Sequence, residues 1–106
     1  MSKNQRRKEI AMETYDSIIR YIGKVKDKNA KFSTKILDRC GEHGYNRYGF
    51  SGLVSNGVII KRPEKDYTKN NLPVNVYNLS SDILDMSLGD ILNLSYHKAL
   101  RINTKS

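Results

Sequence analysis

The sequence predicts an α+β domain in which helix outweighs strand, and three observations predict it. Apolar residues recur at helical spacing over residues 6–26 and again beyond residue 80. Two β-branched runs, 58–62 and 74–79, flank a polar segment bounded by Pro63 and Pro73. Between the first helix and the first of these runs lie two short helical stretches separated by the turn Gly41-Glu42-His43-Gly44-Tyr45. At 106 residues the chain has room for one modest core.

The first helix spans about Arg6 to Lys26, where Ala11, Tyr15, Ile18, Ile22 and Val25 follow one another at intervals of three or four and Ile19 widens the stripe. Gly23, Asp27 and Asn29 loosen its end, and Ala30-Lys31-Phe32 is a short extended approach to a second helix. That helix runs from about Thr34 to Cys40, with Ser33 as its cap, Phe32 and Leu37 placed as a hydrophobic staple, and Gly41 as its stop. It buries Ile36, Leu37 and Cys40. A third helix, about Arg47 to Ser55, takes Asn46 as cap and turns Phe50, Leu53 and Val54 inward, leaving Arg47, Tyr48, Ser51 and Ser55 outward. Gly49 and Gly52 each cost a helix interior about 1 kcal/mol relative to alanine, so they imply either close approach of another backbone or local irregularity.

Asn56-Gly57 is a turn, Val58 to Arg62 a strand, Pro63 to Pro73 a polar loop, and Val74 to Leu79 the returning strand of an antiparallel hairpin. Ser80 or Ser81 then caps a helical tail carrying Ile83, Leu84, Leu88, Ile91, Leu92, Ala99 and Leu100, with a break near Ser87-Leu88-Gly89. The chain therefore divides into a basic N-terminal arm (1–8), a central domain (9–80) and a helical tail (81–106).

The net charge is +8, and it is uneven: residues 1–79 hold 16 basic against 8 acidic side chains, residues 80–106 hold 3 against 3. A field of this kind attracts polyanions, nucleic acid foremost, with anionic lipid or a merely solvated basic surface as alternatives. No apolar run approaches the roughly 20 residues of a membrane span, and the charged N-terminus lacks a signal peptide's apolar core, so a cytoplasmic protein is expected. The lone Cys40 forms no internal disulfide, and with His43 and His97 it makes no spaced set of metal ligands; no metal and no cofactor are expected. Cys40, Glu42 and His43 cluster in sequence, but Cys40 falls on the apolar side of its helix, and no glycine is followed by the lysine and hydroxyl of a phosphate loop. A non-enzyme is expected.

The order helix, short strand, helix, turn, helix, strand, loop, strand, tail resembles the winged helix-turn-helix superfamily. The likeness rests on Phe32-Ser33-Thr34-Lys35-Ile36-Leu37 entering the second helix, Ser51-Gly52-Leu53-Val54-Ser55-Asn56-Gly57-Val58-Ile59 leaving the third, and Val76-Tyr77-Asn78-Leu79-Ser80 closing the hairpin. It covers roughly residues 10–80 and is one of pattern, shared with small transcription factors of phages, archaeal viruses and plasmids. What it implies is a sequence-specific binder of double-stranded DNA that regulates transcription, its third helix in the major groove and its hairpin on the backbone or minor groove.

On that reading Arg47 takes a guanine edge and Asn46 an adenine edge, while Tyr48, Ser51 and Ser55 meet phosphate or base, or simply face water. Lys61, Arg62, Lys65 and Lys69 carry the hairpin's charge, either for phosphate contact or for solubility. Ser33, Thr34 and Lys35 stand at a helix start, where free amides favour a phosphate. Lys3, Arg6, Arg7 and Lys8 add an electrostatic arm. The tail either packs on the first helix or joins two copies into a homodimer that matches a palindromic operator. Two rival partners remain: a winged helix on structured RNA, or a viral module that occupies a host enzyme.

Overall fold

The computed structural model describes the backbone of residues 3–36 and 43–102 and the side chains of residues 8–36 and 49–102. Helix α1, Lys3–Val25, buries Ala11, Tyr15, Ile18 and Ile22 of the stripe its spacing predicts, and Ile10 besides. It begins early enough that residues 3–8 form its first turns. Val25, expected inside, is 42% exposed, because the chain leaves the helix at Lys26, whose φ of 57° is left-handed and whose N–H still reaches the Ile22 carbonyl at 2.8 Å.

Strand β1 is only Phe32–Ser33, and Thr34–Ile36 form a single 3-10 turn in which the Lys35 N–H donates to Ser33 Oγ at 3.2 Å. Ser33 thus caps as expected, but within the described residues the second helix is this tight turn, and Ile36 is half-buried. Leu37 and Cys40 lie outside the described residues, as does the remainder of that expected helix.

Helix α2, His43–Ser55, starts four residues before the expected Arg47. The expected turn therefore ends in helix at its last three residues, and Asn46 sits inside the first turns and does not cap them. Of the two glycines, Gly49 alone is required by the close approach of α1. A Cβ on Gly49 would stand 2.0 Å from Thr14 Oγ1, whereas one on Gly52 would meet only the Ala11 methyl at 3.6 Å. The buried Thr14 hydroxyl is held in place by its bond to the Ile10 carbonyl at 2.8 Å.

Gly57, at φ 76°, turns the chain into strands β2, Ile59–Tyr67, and β3, Pro73–Leu79, which pair with β1 in the antiparallel order β1-β3-β2. The long loop expected over Pro63–Pro73 is mostly strand, and the connecting turn is only 68–72, closed by the Asn71 N–H on the Thr68 carbonyl. The register explains why: Lys61 faces Tyr77 and Lys65 faces Asn75, so Arg62, Pro63 and Glu64 bulge from the ladder and Pro63 needs no N–H there.

The tail forms three short helices, α3 Ser81–Leu84, α4 Leu88–Leu92 and α5 Tyr96–Ile102. Its first break, at 85–87, comes just ahead of the expected site because Ser87 caps α4, accepting from the Asp90 N–H. Ser80 stands at the cap of α3, yet its buried hydroxyl makes no cap bond. The tail packs on α1: Ile83, Ile91 and Ala99 are fully buried in the same core as Ile18, Phe50, Leu53 and Leu79, and Tyr15 donates its hydroxyl to the Leu94 carbonyl at 2.6 Å. Lys28 clasps the end of α3, donating to the Leu84 and Met86 carbonyls at 2.7 and 2.8 Å. Among the described residues no helix is long and apolar enough to cross a membrane.

Candidate nucleic-acid interface

Four aromatic rings cross the described residues and line two clefts. Tyr21 meets Phe32 edge-on at 6.5 Å, Phe32 meets Phe50 at 6.4 Å, and Phe50 stacks on Tyr77 at 4.9 Å. These contacts tie α1, β1, α2 and β3 into one rigid floor, since aromatic pairs at such separations add to the burial of their area.

The first cleft, about 530 Å³, lies between α2 and the hairpin. Phe50 and Tyr77 form its floor; Ser51 and Ser55, one turn apart on α2, form one wall; Lys61 and Asn75 from the hairpin form the other; Thr34 closes an end. Four of the residues singled out from sequence, Thr34, Ser51, Ser55 and Lys61, thus meet in one place. Positions 47 and 48 precede Ser51 by one turn on the same stripe of α2. The side chains of Asn46, Arg47 and Tyr48 lie outside the described residues, as do those of His43 and its neighbours Cys40 and Glu42.

The remaining candidates divide by their partners. Lys65 is held to the cleft wall by a hydrogen bond to Asn75 Oδ1, and Asn75 in turn donates to the Tyr77 hydroxyl at 3.3 Å. Lys69 is exposed in the 68–72 turn at the hairpin's end. Arg62 is turned to Glu64 across the bulge at 3.2 Å. The same carboxylate takes Lys31 at 2.6 Å; this hydrogen bond foremost, then its own backbone N–H and Arg62, lowers the Glu64 pKa to about 2. Arg62 is therefore partly neutralised within the chain.

Ser33 and Lys35 are not free at a helix start. Ser33 is buried, and its hydroxyl donates to Asp66 Oδ2 at 3.4 Å. Lys35 Nζ reaches the Tyr67 carbonyl at 3.1 Å and Asp66 Oδ2 at 3.3 Å. The Tyr67 N–H first, then Lys35, hold the Asp66 carboxyl below its ordinary pKa. Among the described residues no group of three His, Cys, Asp or Glu is placed to hold a metal ion.

A second cleft, about 730 Å³, opens on the other side of the 31–36 segment and was missed from sequence. Arg20 and Lys24 on α1 face Lys31 and Lys35 across it, with Ser17, Tyr21, Phe32 and Asp66 also on its walls. The available signal was the spacing of Ser17, Arg20 and Lys24, which share one face of an otherwise apolar-striped helix. No family model, curated protein or solved structure matches this chain.

Proposed function

We propose that the chain is a double-stranded DNA-binding protein of winged-helix type, a cytoplasmic regulator of transcription with α2 as its reading helix and the β2–β3 hairpin as its wing. The observation that carries the reading is the convergence of Ser51 and Ser55 on α2 with Lys61 on the hairpin and Thr34 on the 3-10 turn around one cleft. A helix fits the major groove, and a hairpin beside it reaches the adjoining backbone. The order helix, short strand, helix, hairpin and the strand order β1-β3-β2 support it.

In this reading positions 46–48 and 51 of α2 meet base edges, Ser55 and Thr34 meet phosphate, and Lys65 and Lys69 carry the wing's electrostatic contact. Ile83, Ile91 and Ala99 lie inside the chain's own core, so binding needs no second copy through the tail.

The test is selection of bound duplexes from a random pool, followed by anisotropy titration at several salt concentrations. A consensus sequence and an affinity that falls steeply with salt are expected. Replacing Arg47 and Tyr48 by alanine removes the preference among sequences, and Lys65→Ala with Lys69→Ala weakens binding to all duplexes alike. Equal or tighter binding to structured RNA, or a protein partner retained at high salt, overturns the proposal, as does unchanged DNA affinity in both pairs of variants.

A further inference from the structure

We propose that the cleft between α1 and the 31–36 segment is a separate phosphate-binding site, which takes phosphate groups on Arg20 and Lys24 independently of the α2 face. It is the larger of the two clefts, and its size falls within the 300–1,000 Å³ usual for ligand sites.

Four cations, Arg20, Lys24, Lys31 and Lys35, line it against the single carboxylate of Asp66. That carboxylate is already engaged: it accepts from the Tyr67 N–H at 2.8 Å, from Ser33 Oγ at 3.4 Å and from Lys35 at 3.3 Å. Lys31 is likewise committed to Glu64. Arg20 and Lys24 are different, because among the described residues neither has a hydrogen bond or ion pair.

They stand one turn apart on α1, about 6 Å along its axis at 1.5 Å per residue. Ser17 adds a hydroxyl on the same face; it donates to the Glu13 carbonyl at 3.1 Å, and its oxygen can still accept a hydrogen bond. The opposite wall is fixed, since Phe32 is locked in the aromatic row and Lys31 and Lys35 are tethered to the hairpin. Two unpaired cations thus face a rigid, positively charged wall, an arrangement that lowers the ordering cost of binding an anion.

The chemistry recognised is a phosphate ester or anhydride, which reaches the cleft either as a free nucleotide or as the backbone of a nucleic acid lying beside the α2 face. The experiment titrates the full chain with inorganic pyrophosphate, with ATP, and with duplexes of 12 and 30 base pairs, at low salt. Each titration is repeated with Arg20→Gln/Lys24→Gln and with Ser51→Ala/Ser55→Ala. Circular dichroism melting checks that both variants are folded, as expected for exposed positions.

Saturable binding of pyrophosphate or ATP that falls at least tenfold in the first variant and is unchanged in the second supports a free nucleotide. Weaker binding of the first variant to the 30-base-pair duplex, with the 12-base-pair duplex, pyrophosphate and ATP unaffected, supports a nucleic-acid backbone, whatever the second variant does to duplex binding. If no ligand distinguishes the Arg20/Lys24 variant from the parent chain, the proposal is overturned. Because the Ser51/Ser55 variant reports the α2 face alone, failure of one site is separable from failure of the other.

Discussion

Gly49 and Gly52 look alike in sequence and differ in what surrounds them. A methyl at Gly49 would collide with the Thr14 hydroxyl at 2.0 Å, and Thr14 cannot step aside without losing its bond to the Ile10 carbonyl. Gly49→Ala is therefore expected to destabilise the protein by about 1–3 kcal/mol, the usual cost of overpacking, despite alanine's better helix propensity. At Gly52 the new methyl meets Ala11 at 3.6 Å, ordinary contact, so Gly52→Ala is expected to be neutral or stabilising by up to about 1 kcal/mol. Urea denaturation of the two variants checks the contrast. Tyr15 offers a second test, because burial foremost and Asp16 next raise its pKa, and its hydroxyl is held by the Leu94 carbonyl. An acid whose pKa is higher folded than unfolded stabilises fully below the unfolded value, near pH 10, and loses that contribution as pH rises beyond it. Tyr15→Phe should cost about 1 kcal/mol at neutral pH and flatten the fall in stability above pH 10, read by thermal melts across the alkaline range.

At the scale of elements, what was legible in the sequence was whatever local pattern decides. The stripe of α1 from Ala11 to Ile22 and the turn at Asn56-Gly57 follow from spacing and from turn chemistry, and both stand where expected. The start of α2 and the length of β2 were not legible, because each is settled by a distant partner. Helix α2 lies against α1 at Gly49 and Gly52, while β2 continues past Pro63 because a bulge closed by Arg62, Glu64 and Lys31 lets a proline sit in an edge strand. The first cleft was half legible: Ser51, Ser55, Thr34 and Lys61 were named from sequence, but Asn75 and Tyr77 join them only through β-register. The second was not legible, since pairing Arg20 with Lys31 across a cleft needs the fold. The joint between α1 and the tail is equally non-local, resting on Lys28 and the carbonyls of Leu84 and Met86. Lys28→Met keeps the aliphatic stem and removes the ammonium, and a loss of about 1.5 kcal/mol is expected. Faster amide exchange at residues 81–86 than in α1 would place the loss there; uniform exchange throughout would show that the clasp contributes nothing local.

For the whole molecule, the tail and the basic region share one core. Ile83, Ile91 and Ala99 are fully buried beside Ile18 and Leu53 of the helices and Leu79 of the sheet, and Tyr15 meets Tyr96 with ring centres 5.8 Å apart. A neutral segment thus supplies packing to a region whose own surface is crowded with like charge, which self-repulsion weakens. Ile91→Ala removes a side chain with no exposed surface and should cost about 2–5 kcal/mol, a large part of the stability of a domain this size. Because the core is continuous, that loss should lower a single transition: far-ultraviolet dichroism, which follows the helices, and tyrosine fluorescence, to which the buried Tyr15, Tyr77 and Tyr96 contribute among the seven tyrosines, should change together at the new midpoint. Two separated transitions, with the tail melting first and the hairpin unmoved, would mean that the tail is an appendage whose packing the basic region does not need.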